Sequence, residues 1–285
     1  MQLLRTVELQ RSLSQYVRFP ASTAAANNPY SCKPRANRLD LLLHLVWREF
    51  AVRYRKSAFG VLWSIVPTLI QLLTLVFLFK KVVPLGIDAY PVFVLSGLLP
   101  WAWFSNAVTS SSLLFSTNRE LVRRPNFEPS TLVIVNTLVE LINYLVFLPA
   151  LLGMLIFYDR VVTPALLFVP VLLMIQGLFI VGISLIAASL NVMYGDVKYL
   201  VNLAIMPLFY LTPIFYQVQT VGEKYQTLFQ WNPLAVLIQG YREILFYGHV
   251  PELGVLLLPA IASVALWGLG QVIYRRQLAN LYDAL

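Results

Sequence analysis

Charged residues are scarce in this 285-residue chain, and their scarcity excludes most soluble architectures. Asp, Glu, Lys and Arg make up 12% of the sequence, whereas the apolar and aromatic types make up 59%. A soluble domain contains about 25% charged residues, and a chain this apolar has too few polar groups to cover a surface in water. We therefore expect lipid to surround most of the chain.

The residue types that build metal and catalytic centres are also rare. Cys32 is the single cysteine, which excludes an internal disulfide and a cysteine metal site. The two histidines, His44 and His249, stand too far apart in sequence to indicate a zinc or iron centre. The sequence contains no phosphate-binding loop of the G-x-x-x-x-G-K-S/T type, no H-E-x-x-H and no G-x-S-x-G. We predict a protein that is not an enzyme and has no metal or cofactor of its own.

The formal net charge of +8 has a topological explanation. The basic residues stand between apolar runs and are not gathered on one face, so we expect no nucleic-acid binding. Residues 1–37 contain no compact apolar stretch before a cleavage site, and 21–34 are rich in Ala, Ser, Asn and Pro. They are predicted to form a disordered cytoplasmic tail.

Six apolar runs approach the length of about 20 residues that a spanning helix needs. They cover approximately residues 60–79, 91–115, 131–157, 162–190, 199–216 and 254–273. The fold class is therefore an all-α membrane protein with six transmembrane helices, whose third and fourth spans form an antiparallel hairpin. Most of the 21 lysines and arginines fall on the side of the N-terminal tail, which predicts that both termini are cytoplasmic.

Residues 38–57 are predicted to form an amphipathic helix at the cytoplasmic interface, ahead of a transmembrane domain over 58–285. Asn37 is the expected N-cap, with Asp40 in the first turn. The apolar face consists of Leu39, Leu42, Leu43, Val46, Trp47, Phe50 and Tyr54. Two roles stay open for this helix: anchoring the first span, and working at the entrance of the protein.

Two further segments are expected to lie outside the spans. In 116–130, Thr117 and Glu120 have the spacing of a capping box, and Pro125 ends the short helix that follows. This loop is either a plain positive-inside loop or a lever that a soluble partner grips. The apolar stretch Pro233–Tyr247 is too short to span the membrane, so 217–253 is predicted to form an external re-entrant or half-helix pair.

One carboxylate, Glu140, stands well inside a predicted span, near Asn136, Asn143 and Tyr144. An intramembrane acid is a candidate functional group by default. Cation coupling would need more than one such group, so we favour structural hydrogen bonding to helix neighbours such as Asn136 and Tyr144.

Aromatic residues are concentrated at the end of the fifth predicted span, at Phe209, Tyr210, Phe215 and Tyr216. Phe209 and Tyr216 are seven residues apart and would share one face of a helix. The aromatic residues form either an interface belt or stacking platforms for sugar rings in a channel.

Five short motifs, in this order along the chain, resemble one known family. They are R-Y-R-K-S-A-F-G-V-L-W-S-I-V-P (53–67), the loop 116–130, G-D-V-K-Y (195–199), L-T-P-I-F-Y (211–216) and W-N-P-L (231–234). The chain resembles the membrane subunit of ABC type-2 exporters, in the branch that exports O-antigen, capsule and teichoic-acid chains. The resemblance covers nearly all of the chain from Leu39 onward.

The resemblance implies an inner-membrane homodimer that binds two copies of a separate ATPase subunit, which holds the ATP and magnesium. A translocation path would run between the protomers along the first and fifth spans, in contact with membrane lipids. The implied ATPase-coupling residues are Arg119, Glu120, Arg123, Arg124, Asp196 and Lys198. The residues expected to attract the pyrophosphate of a lipid-linked glycan are Arg48, Arg53, Arg55 and Lys56.

The resulting hypothesis is a permease subunit that moves a lipid-linked polysaccharide across the inner membrane. Two alternatives stay open. The same architecture also suits an exporter of a small hydrophobic drug or lipid, and a membrane glycosyltransferase or ligase would share the composition.

Overall fold

A computed structural model describes residues 38–54, 60, 62–124, 127–160 and 163–284. The regular structure of these residues is helical. The α-helices are α1 (Arg38–Tyr54), α2 (Leu62–Phe77), α3 (Tyr90–Ser111), α4 (Leu114–Thr117), α5 (Arg119–Val122), α6 (Ser130–Phe157), α7 (Val169–Met193), α8 (Val197–Tyr210), α9 (Glu223–Trp231), α10 (Pro233–Arg242) and α11 (Leu253–Ala284). The shorter turns are π-helical at Leu78–Val82 and Glu243–Tyr247, and 3-10 at Pro164–Phe168 and Val218–Thr220.

Within the described part of the chain, five helices are long and apolar enough to cross a membrane. They are built on α2, α3, α6, α7 and α11. The fifth predicted span is shorter than expected, because α8 has 14 residues, a rise of about 21 Å. The chain leaves the helix at Leu211, and Pro213 has no N–H with which to continue it. The count of six full spans is therefore not confirmed.

Helix α3 forms the centre of the protein. In its most apolar stretch 78% of the residues are buried, against 17% for the span that contains α2. Its aromatic and aliphatic side chains belong to the main core with those of α6, α7 and α10; Phe93, Leu95 and Leu98 have no exposed surface. The apolar sequence of α3 is thus explained by contact with other helices of the same chain as well as by a lipid environment.

Helices α7 and α11 approach each other closely at two glycines. A Cβ atom on Gly182 would lie 2.6 Å from the backbone carbon of Leu266, and one on Gly270 would lie 2.7 Å from the carbonyl oxygen of Gly182. Small residues let the backbones of spanning helices come close enough for extensive van der Waals contact.

Helix α1 packs directly on span α6. Val46 is buried against Val135 and Val139 of that span, and Asp40 lies in the first turn as predicted. Leu43 and Trp47, which belong to the predicted apolar face, are 66% and 71% exposed. Asn37, the predicted N-cap, lies outside the described residues.

The loop between the second and third spans contains two short helices, α4 and α5, on an apolar base. Phe115 and Val122 are buried in a cluster with Leu185 of α7 and Tyr274 of α11. The predicted capping box does not form: Thr117 ends α4, and its hydroxyl donates to the carbonyl of Leu113 four residues earlier, at 2.9 Å.

The half-helix pair predicted in 217–253 is confirmed. Helix α9 is a short helix with no buried residue, whereas α10 is largely buried against α3 and α11. Asn232 caps α10, since its side-chain oxygen accepts from the N–H of Leu234 at 3.0 Å. Helix α10 has ten residues and does not span the membrane.

Candidate functional site

The last turn of α1 places two polar side chains against the middle of span α6. Arg53 forms an ion pair with Glu140 through its Nη1 atom, and its Nη2 atom lies 3.5 Å from the side-chain oxygen of Asn136. The hydroxyl of Tyr54 donates to the side-chain oxygen of Asn143 at 3.0 Å. Burial lowers the pKa of Arg53, but the charge and hydrogen bond of Glu140 outweigh burial and raise it overall.

The polar network continues from Glu140 into α3. Asn143 donates to the second carboxylate oxygen of Glu140 at 3.0 Å. The amide of Asn136 donates to the Ala107 carbonyl at 3.1 Å and to two serine hydroxyls of α3, Ser110 at 2.8 Å and Ser111 at 2.9 Å. Helices α1, α3 and α6 are thus connected through polar side chains.

Glu140 was predicted to form structural hydrogen bonds to its helix neighbours. Its side-chain partners in the structure differ in part from the expected ones. Asn143 contacts Glu140 directly, but the hydroxyl of Tyr144 is buried with no hydrogen-bond partner in the described part of the protein. The missing interaction is supplied by Arg53, which is 87 residues away in sequence. No local pattern around Glu140 indicates that contact.

A groove of about 510 Å³ opens beside this network, between α1, α2, α3 and α6. Its lining combines the ion pair, the amides of Gln71 and Asn106, and the indoles of Trp63 and Trp101. A recess of about 20 Å³, which Tyr144 also lines, lies next to it. Gln71 and Asn106 are not among the residues predicted from the sequence, although Gln71 visibly interrupts the apolar run of the first span.

Two of the four residues proposed for pyrophosphate recognition lie in the described part of the chain. Arg48 is exposed, and Arg53 is engaged with Glu140. Arg55 and Lys56 lie outside the described residues, so their predicted role stays a prediction.

The proposed coupling residues are gathered at one end of the bundle. Four of them lie on the exposed surface of α5 and the turn after it: Arg119, Glu120, Arg123 and Arg124. Asp196 is exposed on the turn between α7 and α8, and Lys198 is half-buried in the first turn of α8. Since Phe115 and Val122 pack on the C-terminal half of α7, the two segments lie at the same end of that helix. This surface suits contact with a soluble protein.

The aromatic residues at the end of α8 pack on one another. The rings of Phe209 and Phe215 are stacked with their centroids 5.6 Å apart, and the hydroxyl of Tyr216 donates to the carbonyl of Tyr210 at 2.9 Å. The predicted helical face shared by Phe209 and Tyr216 is wrong, because α8 ends between them at Tyr210. Phe209 is 8% exposed and Tyr210 57% exposed, so of these two only Tyr210 presents most of its surface.

At the opposite end of the bundle, Arg242 is a buried cation that the sequence analysis did not single out. It is 1% exposed, and its Nη2 atom donates to the carbonyls of Pro213 at 2.8 Å and Ile214 at 2.9 Å. Its Nη1 atom lies 3.4 Å from the side-chain oxygen of Gln239. Arg242 therefore fixes the turn after α8 onto α10.

Together these features define a multi-pass membrane protein with an exposed charged surface at one end and broken helices at the other. The ABC-2 type transporter family matches residues 40–246, and the chain belongs to this family. The family predicted from the sequence motifs is thereby confirmed, and with it a transport subunit.

Relatives of the chain are named as permeases and transport proteins. The O-antigen export system permease protein RfbA of Klebsiella pneumoniae is 33% identical over 210 residues, which cover 73% of this chain and 81% of that protein. The RfbA protein of Myxococcus xanthus is 30% identical over 240 residues, 83% of this chain and 92% of its own. The polysialic acid transport protein KpsM of Escherichia coli is 25% identical over 212 residues, 73% and 82% of the two chains.

Proposed function

We propose that this chain is the permease subunit of an ATP-driven exporter that moves a lipid-linked polysaccharide, O-antigen or capsule-like, across the inner membrane. The observation that carries the proposal is the 33% identity to an O-antigen export permease over 81% of that protein. The similarity to a polysialic acid transport protein supports polysaccharide as the substrate class.

The working unit is proposed to be a homodimer with two copies of an ATPase subunit, with both termini in the cytoplasm. Span α2 and helix α8 support this arrangement because each leaves much apolar surface uncovered in one protomer. Leu73 of α2 is 65% exposed, and Leu203 and Met206 of α8 are 70% and 66% exposed. In the dimer these helices border the translocation path, and the polysaccharide passes between the protomers.

Force from the ATPase is proposed to enter through α4 and α5. The exposed charges of α5 contact the partner, which binds and hydrolyses ATP with magnesium. The buried base of the loop packs on α7 and α11, so displacement of α5 moves those two spans. Close-packed protein interiors have low compressibility, so they transmit a displacement from one helix to the next.

The proposal is tested in a strain that lacks this chain and carries it back on a plasmid. We expect glycan to accumulate inside the deletion strain and to return to the surface on complementation, only when the cognate ATPase subunit is active. Turnover of a glycan or lipid substrate by the purified chain without any partner would contradict the proposal.

A further inference from the structure

We propose that a second groove, between α6 and α7, binds one acyl chain of a bilayer phospholipid. This lipid groove measures about 540 Å³. Its walls are side chains from 134–141 of α6 and 170–181 of α7, and the buried indole of Trp103 on α3 forms its floor. It shares no lining residue with the groove beside Glu140, so occupation by an acyl chain does not depend on which substrate the protein transports.

The lipid groove is built from membrane-spanning helices. Its lining residues belong to α3, α6, α7 and α11, four of the helices that are long and apolar enough to cross a membrane. Met174 of α7 and Trp267 of α11 are 74% and 42% exposed, so the groove opens outward from the bundle. The core of a bilayer contains no water. The space in the groove is therefore filled either by lipid or by another helix.

The dimensions of the lipid groove exclude a helix. Its α7 wall runs from 170 to 181, a rise of about 16.5 Å, and a volume of about 540 Å³ over that length gives a mean cross-section of about 33 Å². An α-helix with its side chains is about 10–12 Å across, a cross-section of about 80–110 Å². A hydrocarbon chain is one carbon atom wide, and carbon atoms pack at about 3.5–4.0 Å. An acyl chain therefore fits the groove, whereas a span of a second copy does not.

The polar atoms at the floor of the lipid groove are already hydrogen-bonded within the protein. The indole N–H of Trp103 donates to the carbonyl of Thr137 at 3.1 Å, and the hydroxyl of Thr137 donates to the carbonyl of Val133 at 2.9 Å. Among the residues that the structure describes, no charged side chain lines the groove. A polar ligand would lose its hydration there without gaining hydrogen bonds in return, whereas a run of methylenes loses none.

Gly177 keeps the lipid groove open. A Cβ atom at this position would lie 3.4 Å from the Cη2 atom of Trp103, so a longer side chain at 177 would occupy the groove. Met174 lies one turn away on the same wall. Its unbranched, flexible side chain can adapt to the kinks of an acyl chain.

The test counts the phospholipids that the purified full chain retains in detergent. The protein is washed free of loosely held lipid, supplied with dioleoylphosphatidylglycerol and weighed by native mass spectrometry. We expect Gly177→Leu to retain one phospholipid fewer per copy of the protein than the wild type. Gly153→Leu is the matched control, because Gly153 lies on α6 outside the groove with nothing within 4 Å of an added Cβ. It should retain as many phospholipids as the wild type.

A second variant tests the same groove after the protein has folded, in case Gly177→Leu does not fold. Met174→Cys in a Cys32→Ser background is purified and then modified with hexyl methanethiosulfonate, which tethers a six-carbon chain beside the groove. The modification should release one phospholipid per copy. The same modification of Ile156→Cys should release none, because Ile156 is 67% exposed on α6 and lies outside the groove.

Equal retention by the wild type, Gly177→Leu and the hexyl-modified protein would overturn the inference. Equal losses in the two glycine variants, or in the two modified cysteine variants, would also overturn it. Retention should be the same when dioleoylphosphatidylethanolamine replaces the phosphatidylglycerol; retention of only one of the two lipids would overturn the inference in favour of a headgroup site. A different number of protein copies per particle in Gly177→Leu would overturn it in favour of a second copy in the groove.

Discussion

The guanidinium carbon of Arg242 lies 3.8 Å from the centroid of the Phe93 ring. This contact joins the half-helix α10 to the central helix α3, while the same guanidinium holds the carbonyls of Pro213 and Ile214. One side chain therefore connects three parts of the fold at the end opposite the charged loop. A planar guanidinium can stack and donate at once, which an ammonium cannot do.

Arg242→Lys should destabilise the protein although it keeps the positive charge. We expect a loss of about 2–4 kcal/mol, because one stacking contact and at least one charged hydrogen bond disappear. The measurement is the midpoint of thermal unfolding of the purified protein in detergent. Arg160→Lys is the matched control: Arg160 lies 4.6 Å from the Phe246 ring and is partly exposed, so it should change stability by less than about 0.5 kcal/mol. Equal effects of the two substitutions would show that the buried contacts contribute little.

The ion pair between Arg53 and Glu140 should couple the position of α1 to α6. Glu140→Gln and Arg53→Gln should each weaken packing of α1, and the exchange of both charges should restore part of it. The expected interaction energy in a double-mutant cycle is about 0.5–3 kcal/mol. Docking of α1 is measured as disulfide formation between cysteines placed at Val46 and Val139, in a Cys32→Ser background. Strictly additive effects of the single substitutions would exclude the coupling.

Charge reversal on the loop surface should separate ATP hydrolysis from transport. Arg123→Glu with Arg124→Glu leaves the buried base of the loop intact, because both side chains are exposed. We expect the complex to hydrolyse ATP while polysaccharide export falls at least about tenfold, an effect of about 1.4 kcal/mol on the coupling contact. Lys224→Glu, an exposed reversal on α9, serves as the control. Unchanged export in the double variant would remove these arginines from the coupling surface.

Gly182→Ala should separate α7 from α11. The added carbon would lie 2.6 Å from backbone atoms of Leu266 and Trp267, and backbone cannot move aside as a flexible side chain can. We expect a loss of at least about 2 kcal/mol, in the upper range for overpacked sites. Gly268→Ala lies on α11 with nothing within 4 Å of the added carbon, and it should preserve the unfolding midpoint. A similar midpoint for both variants would show that the two helices tolerate a wider spacing.

The sequence predicted the features that depend on composition over about 20 residues, namely the spans and the short half-helix before α11. It also predicted the family, because the five motifs occur in a fixed order. It overestimated α8, since the apolar run continues past Tyr210 while the backbone does not stay helical. The hydropathy of a segment indicates whether its surroundings are apolar. It does not indicate the residue at which the helix ends.

The side-chain partners required the tertiary structure. Arg53 was assigned to a phosphate ligand because its neighbours in sequence are basic, yet in the fold it lies against Glu140. Thr117 and Glu120 have capping-box spacing, but α4 already occupies the position where the cap would form. For Arg53, a residue of a different helix determines the hydrogen bond. For Thr117, a helix that ends at this residue determines it.

Helices α2 and α3 are buried to very different degrees. Helix α3 is enclosed by its own chain, whereas the span that contains α2 has 17% of its apolar stretch buried. The free energy that fixes α2 must therefore come largely from surrounding lipid or from a second copy. The chain thus combines a rigid central helix with an outer helix whose tilt follows its surroundings, so a change in bilayer thickness will alter the tilt of α2 before it displaces the core.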